Sequence, residues 1–445
     1  MTIATTDAAE RLGLSLRSSL AVHLAEHGHL PASRGRHGSV AGSLVDEVER
    51  SGLRGRGGGW FPTAVKLRAV VESSAARGRL STTRRPVVIG NGMEGEPASG
   101  KDAMLLAASP HLVLDGISAA AYAIGATEAY LAVHRGSHLV PGLLAALAER
   151  AEATVDEIAI RLVTPPARYV ASEESALAHW VGEGVATPVH DRKPFQSGSG
   201  GRPTLVQNVE TLAHLALIAR NGGPWFAGAG SPAAPGTTMV SVGGAVAAPG
   251  VVEVPTGTSV ASILDRCGGP TADVAGYLTG GYGGAWVPPA GFAATPWDPD
   301  SVREMGGVIG ASVLWAVGPD TCPLHEMARV AAWMAGETAG QCGPCAFGLP
   351  SVRDDVHLLA VRRAGAGDAD RLRSRLGLIS NRGGCKHPDG TARFLATGLA
   401  AFPDEVAAHL AGRCSFGSTR PGSPSSLPVP EARLASADVN GRDFA

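Results

Sequence analysis

Residues 51–66, SGLRGRGGGWFPTAVK, combine bare backbone with positive charge in a way that could hold an anion. Six of the sixteen are glycine or proline, so neither a helix nor a strand is expected through the middle of the segment. Several backbone N–H groups could therefore approach one ligand, and Arg54, Arg56 and Lys66 add charge nearby. Thr63 is suited to the N-cap of a helix that follows. These features predict a phosphate cradle, although a basic surface loop would share this composition.

Acidic side chains occur in two further segments. Glu94 and Glu96 follow one predicted strand, and Glu173 and Glu174 follow another. Carboxylates accept hydrogen bonds from ribose hydroxyls and repel a 2′-phosphate, so the two segments together predict NADH in preference to NADPH. Taken alone, Glu173 and Glu174 would also fit the first turn of a helix, where acids are favoured.

Three neutral hydrogen-bonding side chains, Gln207, Asn208 and Thr211, lie at the head of an apolar helical segment. They would suit a ring system or a phosphate, and amides at such positions also act as helix caps.

The cysteines offer a metal or redox site. Cys342 and Cys345 form a Cys-x-x-Cys pair, and Cys385 follows with His387 close by. The pair alone fits a redox dithiol, half of a zinc site or half of an iron–sulfur site. The four residues together also make a formal Cys₃His zinc set.

Strands alternate with helices in the first half of the chain. Short β-branched runs predict strands at 85–90, 128–133 and 158–163, with helices at 105–125 and 139–151. This alternation predicts an α/β fold with a doubly wound parallel sheet, in which ligands bind beyond the carboxyl ends of the strands. The acidic and amide segments would therefore meet at one edge.

The second half of the chain changes in character. Strands at 238–242 and 250–255, followed by a helix at 259–267, predict a small β-rich module. Residues from 313 onward predict helices, with Val330, Trp333, Met334, Leu395, Leu399 and Phe402 on their apolar faces. We therefore predict four regions: 1–235, the α/β region with an N-terminal helical segment; 236–312, the β-rich module; 313–412, a helical bundle; and 413–445, a disordered serine- and proline-rich tail.

Composition excludes several classes of function. The net charge of −2 over 445 residues gives no support for nucleic acid as a partner. The start of the chain lacks a secretion signal, and no apolar segment predicts a membrane span, so we expect a cytoplasmic protein with reduced cysteines. A peripheral place on a membrane complex is compatible with this. Only four lysines accompany 34 arginines, and Lys66, Lys101, Lys193 and Lys386 all lie in the segments of interest.

Several of these motifs resemble, in order, those of the NADH-binding, FMN-carrying flavoprotein subunit of respiratory complex I, also called NADH-quinone oxidoreductase, and of its related diaphorase subunits. The matching segments are Ser51–Lys66, Asn91–Asp102, Tyr169–Ser175, Pro203–Thr211 and Gly336–Cys345. The resemblance covers about residues 40 to 412. It implies that the β-rich module is a ubiquitin-like SLBB domain, that the helical bundle binds a [4Fe–4S] cluster, and that FMN and NADH share the α/β region.

The resemblance also implies roles for individual residues. Those expected around FMN are Gly57, Gly58, Lys66, Asn91, Glu94, Tyr169, Gln207, Asn208 and Thr211. Gly59, Ser172 and Val206 are expected to bind a cofactor as well. Those expected around NADH are Phe61, Glu96, Glu173, Glu174, Lys193 and Phe195. Glu94 and Glu174 stand as the candidate catalytic residues, in positioning and tuning roles, and Cys342, Cys345 and Cys385 as the metal ligands.

The chain departs from the family pattern at several of these positions. The family has Ala-Gly-Phe where this chain has Gly59-Trp60-Phe61, and aspartate where Met93 stands. It has glycine at Ser172 and asparagine at Gln207. The first cysteine of the cluster motif is replaced by Ala339, so three matching thiolates remain. Cys322, Cys414 and His387 are candidates for a fourth ligand, and a labile or three-iron cluster is the alternative.

The resulting functional prediction is an FMN-dependent NADH:acceptor oxidoreductase subunit that delivers single electrons to an iron–sulfur cluster or to an iron–sulfur or ferredoxin-like partner. Two alternatives stay open. One is a degenerate subunit that keeps the fold for assembly without catalysis. The other is the related subunit of NADH:ferredoxin complexes.

Overall fold

A four-stranded parallel sheet forms the first half of the chain in the computed structural model, which describes residues 10–14, 19–31, 40–76, 85–416 and 426–430. Its strand order is β3-β2-β1-β4. The strands are β1 (Val87–Asn91), β2 (Glu128–Ala132), β3 (Ile160–Val163) and β4 (Thr204–Asn208). The predicted doubly wound fold is confirmed. The sequence prediction missed β4, because the strand joins the following helix directly at Val209.

Ten helices accompany this sheet in the described ranges. They are α1 (Leu20–His27), α2 (Val40–Ser51), α3 (Thr63–Ala76), α4 (Lys101–Ala108), α5 (Pro110–Ile124), α6 (Val140–Ala153), α7 (Glu174–Glu183), α8 (Pro194–Ser197), α9 (Val209–Asn221) and α10 (Gly223–Ala227). The helix predicted at 105–125 is two helices, because the chain breaks at Ser109. Helix α5 is apolar on nearly all sides, and it is buried between the sheet and α9.

A second, five-stranded sheet follows, with the order β10-β9-β11-β7-β8. A short hairpin of β5 (Gly230–Ser231) and β6 (Ala234–Pro235) leads into it. Its strands are β7 (Thr237–Gly244), β8 (Gly250–Pro255), β9 (Gly276–Thr279), β10 (Ala285–Val287) and β11 (Val313–Val317), with helices α11 (Val260–Arg266) and α12 (Pro299–Glu304) between them.

Strand β11 corrects one expectation. It lies between β9 and β7 in the middle of this sheet, so the prediction that the chain is helical from 313 onward is wrong for Val313–Val317. A run of apolar residues as short as VLWAV cannot be assigned to a helix or a strand by periodicity. The region boundaries at 235, 312 and 412 stay predictions.

Five helices complete the described part of the chain: α13 (Pro323–Gly336), α14 (Leu349–Ala360), α15 (Ala366–Ile379), α16 (His387–Ala401) and α17 (Pro403–Leu410). The six apolar residues predicted for their inner faces are all buried. A single π-helical turn, Pro344–Gly348, precedes α14 and carries Cys345.

The predicted disordered tail is described only in part. In residues 426–430, Leu427 is buried and its backbone N–H donates to Glu326 Oε2 at 2.7 Å, so the prediction is wrong for this short segment. Residues 417–425 and 431–445, which belong to the same prediction, lie outside the described residues.

No single helix in the described ranges is long and apolar enough to cross a membrane. Helices α4 and α5 meet the length and composition test only when taken together, and they are bent by 97° relative to each other.

The contact between α5 and α9 generates a prediction about stability. A Cβ atom built on Gly116 would lie 2.0 Å from the carbonyl oxygen of Leu212, which is backbone and cannot rotate away. We expect Gly116→Ala to push the helices apart and to lower the free energy of unfolding by about 2 kcal/mol or more. Urea unfolding followed by circular dichroism measures this.

The matched control is Gly142→Ala on α6, where the new Cβ would meet no atom within 4 Å. This change should be neutral or should stabilise the chain by up to about 1 kcal/mol, because alanine is the better helix former. Equal effects of the two substitutions would show that the close approach at Gly116 does not constrain the fold.

Candidate functional site

The glycine loop closes on itself at the start of α3. A β-bridge joins Arg54 to Pro62, and the Gly55 N–H donates to the Phe61 carbonyl at 2.9 Å. Gly58 has a φ of +107°, which side-chain-bearing residues rarely adopt, and a Cβ on Gly57 would lie 3.0 Å from the Cβ of Asn208. The loop therefore needs glycine both for its own conformation and for its approach to the sheet.

Arg56 lines the cavity, and most of the contacts of its guanidinium are to backbone carbonyls of the second sheet. Its guanidinium is buried, and it donates to the carbonyls of Pro235 and Thr237 at 3.1 and 3.0 Å. It also lies 3.9 Å from a Glu210 carboxylate oxygen. Burial lowers the pKa of Arg56 to about 10. The side chain thus fastens the loop to the second sheet.

Trp60 and Phe61 face different surroundings. Trp60 has a φ of +48°, lies over the Arg56 guanidinium at 4.3 Å and packs in the core of the β-rich module. Phe61 is 55 % exposed and contributes to the wall of the main cavity. The ring of Trp60 therefore packs mainly in the core of the module, where it stacks on the Arg56 guanidinium.

The carboxyl ends of β1 and β4 form the floor of the site. Asn91 and Asn208 are paired in register on these adjacent strands. The Asn91 amide donates to the Ser172 carbonyl at 2.9 Å, and the Asn208 amide donates to Asp102 at 2.7 Å. Asn208 Oδ1 also accepts from the Glu210 N–H and caps α9. This is the point where the strand order reverses, the usual position of ligands in such sheets.

Lys66 bridges two sides of the floor. Its ammonium donates to Glu174 Oε2 and to the Val206 carbonyl, each at 2.8 Å. The Gln207 amide lies 3.4 Å from the Thr63 hydroxyl. The start of α3 is therefore bound to both β4 and α7.

Two of the predicted ribose-binding carboxylates cap helices. Glu94 accepts from the N–H groups of Asp102 and Ala103 at 3.0 and 2.8 Å, at the start of α4. Glu173 accepts from the N–H groups of Ser175 and Ala176 at 2.9 and 3.0 Å, at the start of α7. The alternative interpretation of Glu173, as an acidic residue that serves the first turn of a helix, is thus correct for these contacts. Glu94 and Glu173 nevertheless also line the cavity.

Glu96 links the acidic segment to the β-rich module. Its two oxygens accept from the backbone N–H groups of Ala98 and Tyr282 at 3.2 and 2.8 Å. A Cβ on Gly281 would lie 2.4 Å from the Glu96 carboxyl carbon. The loop at 280–284 can therefore approach Glu96 only because position 281 has no side chain. Burial raises the pKa of Glu96 to about 7, although both backbone donors act against this rise.

A buried group of charges lies beneath the floor. The Lys101 ammonium is 2.6 Å from Asp102 and 2.9 Å from Glu210, and Lys101 and Glu210 are almost fully buried. Burial opposes protonation of Lys101, but Asp102 and Glu210 together raise its pKa. Burial raises the pKa of Asp102, and Lys101 limits the rise. Glu210 also accepts from the Met239 N–H at 2.9 Å, which binds the floor to β7.

These elements surround one cavity of about 1340 Å³. Single small-molecule sites occupy roughly 300–1,000 Å³, so there is room for more than one ligand. The predicted cofactor residues that line it are Gly57, Gly58, Gly59, Phe61, Lys66, Asn91, Glu94, Glu96, Tyr169, Ser172, Glu173, Glu174, Val206, Gln207, Asn208 and Thr211. Lys193 and Phe195 are not among the lining residues; Lys193 is exposed and Phe195 packs on the core of the α/β region.

The sequence prediction missed part of this wall. Gly280, Gly283 and Gly310 come from the β-rich module, and Arg373 and Arg393 come from α15 and α16. The run of glycines at 280–284 was a visible signal for the module's contribution. The two arginines had no comparable signal in a chain so rich in arginine.

The predicted metal ligands lie beside the cavity. Cys385 and His387 belong to its wall, and Cys345 is buried close enough to Cys342 and Cys385 to interact with them electrostatically. Burial, with a contribution from Cys342, raises the pKa of Cys345 to about 12. None of the six cysteines forms a disulfide.

The three thiols are not arranged around a single ion. Three or more ligands of one zinc ion lie about 3.3–3.8 Å from each other. The described residues that gather within 4.8 Å in this way do not include Cys342, Cys345 or Cys385. Wider spacing suits a cluster in which each thiolate binds a different iron.

Two proposed fourth ligands are placed elsewhere. Cys322 caps the start of α13, whereas Cys342 follows its end, and fourteen helical residues span about 21 Å. Cys414 gathers with Cys322. His387 stays near Cys385, but its Nε2 lies 2.9 Å from the Met334 carbonyl oxygen.

Comparison with known proteins identifies the family to which the chain belongs. Residues 48–217 match the Nuo51 FMN-binding domain, residues 239–281 the SLBB domain, and residues 325–409 the NADH-ubiquinone oxidoreductase-F iron-sulfur binding region. The chain is 30 % identical to the second NADH-quinone oxidoreductase F subunit of Rhizobium meliloti (strain 1021), covering 84 % of this chain and 90 % of that protein. It is also 30 % identical to the NADH-quinone oxidoreductase F subunit of Streptomyces coelicolor, covering 84 % of each chain. The chain belongs to the family of NADH-quinone oxidoreductase F subunits.

Solved structures agree with this assignment. Crystal structures of an NAD⁺-reducing [NiFe]-hydrogenase superpose with TM-scores of 0.75 in the H₂-reduced state and 0.78 in the air-oxidized state, each at 27 % identity. The matched regions cover 83 % and 90 % of the present chain, and 63 % and 67 % of the lengths of those chains. The resemblance inferred from the sequence motifs is confirmed, and with it the FMN-binding and iron–sulfur-binding regions.

The departures from the family pattern can now be placed. Trp60 occupies a left-handed conformation that glycine would adopt freely. Met93 is buried in an apolar cluster against the sheet and does not line the cavity. The Ser172 hydroxyl donates to the Tyr169 carbonyl at 2.7 Å. Ala339 packs at the edge of the same apolar cluster as Met93.

Glu96 generates a prediction about pH. Its pKa is raised from 4.5 to about 7 in the folded chain, so its contribution to stability is fully present below pH 4.5 and is lost as the pH rises through 7. Glu96→Gln cannot ionise. The difference in unfolding free energy between parent and variant should therefore fall by about 3 kcal/mol across this window and then level off.

Urea unfolding of both proteins from pH 4 to pH 8, without added ligand, measures this difference. Glu152→Gln, at an exposed position on α6, is the control and should show a constant difference from the parent. A constant difference for Glu96→Gln as well would mean that the carboxyl group is not perturbed by burial.

Proposed function

We propose that this chain is an NADH-oxidising flavoprotein subunit that passes electrons from NADH through FMN to an iron–sulfur cluster. One observation carries the proposal: a single cavity extends from the glycine loop and the carboxyl ends of β1 and β4 to Cys385. A nucleotide site and a thiol site therefore share one space.

The residues present fit FMN. Gly57 and Gly58 bring bare backbone against the floor, where a Cβ would crowd Asn208 or strain the loop. Lys66 supplies a cation at the edge of the floor, and Asn91, Gln207 and Asn208 supply amides. Bound FMN takes a pair of electrons from NADH and supplies them singly to an acceptor. We propose that the glycine loop and Lys66 hold the phosphate and that the amides orient the ring.

Charge at the cavity wall favours NADH over NADPH in this proposal. Glu94, Glu96, Glu173 and Glu174 all contribute to the wall. Backbone N–H groups hold the first three in place, so these carboxylates cannot easily turn away from a ligand. Glu94, Glu173 and Glu174 would accept hydrogen bonds from ribose hydroxyls and repel a 2′-phosphate. Glu96, with its raised pKa, would add to this repulsion only as the pH rises through about 7. Phe61, exposed at the mouth, would offer an apolar face to a ring.

Aromatic side chains connect the wall of the cavity to the helical bundle. The Tyr169 ring lies 5.3 Å from the ring of His387 and 5.5 Å from that of Trp333. His387 follows Cys385 by two residues. These contacts pack the wall of the nucleotide site against the segment that carries Cys385.

A partner that accepts electrons is part of the proposal. Phe347, two residues after Cys345, is 77 % exposed, and Leu378 on α15 is 57 % exposed. Exposed apolar side chains beside a predicted cluster suit a docking partner. We propose that an iron–sulfur or ferredoxin-like protein takes this role, as the complexes named for the relatives suggest, with the quinone-linked and ferredoxin-linked types as the two candidates for the final acceptor.

The function is tested on protein purified without air. Its absorption spectrum should show flavin bands and a broad iron–sulfur shoulder, and NADH should bleach the flavin bands faster than NADPH does. A chain that binds neither group after reconstitution would instead be a non-catalytic assembly subunit. Equal rates with the two dinucleotides would contradict the role of the carboxylates.

Lys66→Ala should weaken flavin binding by roughly 10- to 100-fold, because it removes a charged hydrogen-bond donor from the floor. Fluorescence titration of the flavin-free protein with FMN measures this affinity. Arg68→Ala, on the same helix but paired with Asp46 and Glu49 on the surface, is the control and should bind FMN like the parent. Unchanged affinity in both variants would remove Lys66 from the site.

Ala339→Cys should restore the fourth thiolate of the cluster motif. Each of the four irons in a cubane needs a ligand from outside the core, so the parent should hold an oxygen-sensitive cluster that loses iron. The variant should contain about four irons per chain and survive air longer. Iron and sulfide analysis with low-temperature EPR distinguishes four-iron from three-iron clusters.

Ala339→Ser is the matched control, since it adds a similar volume without a thiolate. Equal iron content in all three proteins, with an air-stable four-iron signal in the parent, would mean that another group already completes the cluster.

A further inference from the structure

We propose that Cys322, Glu405, His409 and Cys414 form a structural zinc site, separate from the predicted iron–sulfur ligands. The donor atoms of these four residues all lie within 4.8 Å of one another. Two thiols, an imidazole and a carboxylate are a donor set that Zn²⁺ takes in tetrahedral sites. The site does not depend on the proposed electron-transfer function.

The distances agree with one small tetrahedral ion. Cys322 Sγ lies 3.5 Å from His409 Nε2 and 3.7 Å from Glu405 Oε1, and the last two atoms are 3.0 Å apart. Bonds of about 2.3 Å to sulfur and about 2.0 Å to nitrogen and oxygen place tetrahedral ligands about 3.3–3.8 Å apart. Among these three donors, the imidazole and the carboxylate would have to separate slightly.

The local fold presents these donors to a common point. Cys322 caps the start of α13, and Glu405 and His409 lie one turn apart on α17, so they share a face. Cys414 returns to the group shortly after α17 ends. Cys322 is distant in sequence from the other three donors and meets them only through tertiary packing.

Neighbouring groups orient the donors. His409 Nδ1 lies 3.0 Å from the Leu359 carbonyl oxygen, which leaves Nε2 directed at the other three residues. The Glu405 carboxylate accepts from the Ser415 N–H at 3.1 Å. Metal-bound histidine and carboxylate are commonly held by such contacts, which fix the tautomer and the orientation.

Burial favours a structural role over a catalytic one. Cys322, Glu405 and His409 are almost completely buried, and Cys414 is half-buried. Four protein donors fill a tetrahedral shell, whereas catalytic zinc keeps one position open for water. A bound ion would fasten α17 and the segment that follows it to the start of α13.

Metal analysis of the full chain, purified without air and dialysed against EDTA, tests the proposal. The parent should retain about one zinc per chain, and Cys414→Ser should lower this at least tenfold while leaving iron unchanged. Cys385→Ser is the matched variant and should lose iron while keeping zinc. Loss of zinc in one variant and of iron in the other would show that the zinc site is separate from the cluster. The zinc proposal could then fail or hold independently of the function proposed above.

A second measurement uses the parent protein alone, so its result does not depend on whether the variants fold. X-ray absorption at the zinc edge should show two sulfur neighbours at about 2.3 Å and two nitrogen or oxygen neighbours at about 2.0–2.1 Å. Zinc removed by dialysis and not restored by added Zn²⁺ under reducing conditions would overturn the proposal. So would a Cys322–Cys414 disulfide in the anaerobic protein, or zinc content unchanged by Cys414→Ser.

Discussion

The geometry of the site depends on the buried contact between Glu210 and Lys101. Glu210 also binds the backbone of β7 and faces Arg56, so one carboxylate connects the floor of the cavity, the glycine loop and the β-rich module. Removing one partner of such a buried pair costs roughly 3–5 kcal/mol, because the other charge is left without water or counter-charge. Lysine suits this position better than arginine, since a compact ammonium fits between Asp102 and Glu210.

The same contact shows what sequence reasoning can and cannot supply. Types of residue and their order along the chain predicted the parallel sheet, the glycine loop and most of the α/β region's share of the cavity wall. The direction of a side chain was not available: Arg56 was expected to add charge near the ligand, yet most of the contacts of its guanidinium are to backbone carbonyls. Strand β4 was missed because its five residues run into α9 without a turn, so no breaker residue marked the boundary.

The cysteines illustrate a second limit. Sequence proximity grouped Cys342 with Cys345, but it could not say which of the remaining thiols would join them. Helix length decides that question, because α13 separates Cys322 from Cys342 by its whole extent. Cys322 instead meets Glu405, His409 and Cys414, which only the packing of α13 against the last helices brings together. Distance along a rigid helix is therefore as informative as motif spacing.

The cavity wall has a consequence for the lifetime of the protein in a cell. Its residues come from the α/β region, the β-rich module and the last helices, so a ligand that fills it touches all three at once. A ligand that binds only the folded chain adds its binding free energy to the stability of every part it joins. A chain without flavin would then be more exposed to proteolysis than the loaded chain, in all three regions at once.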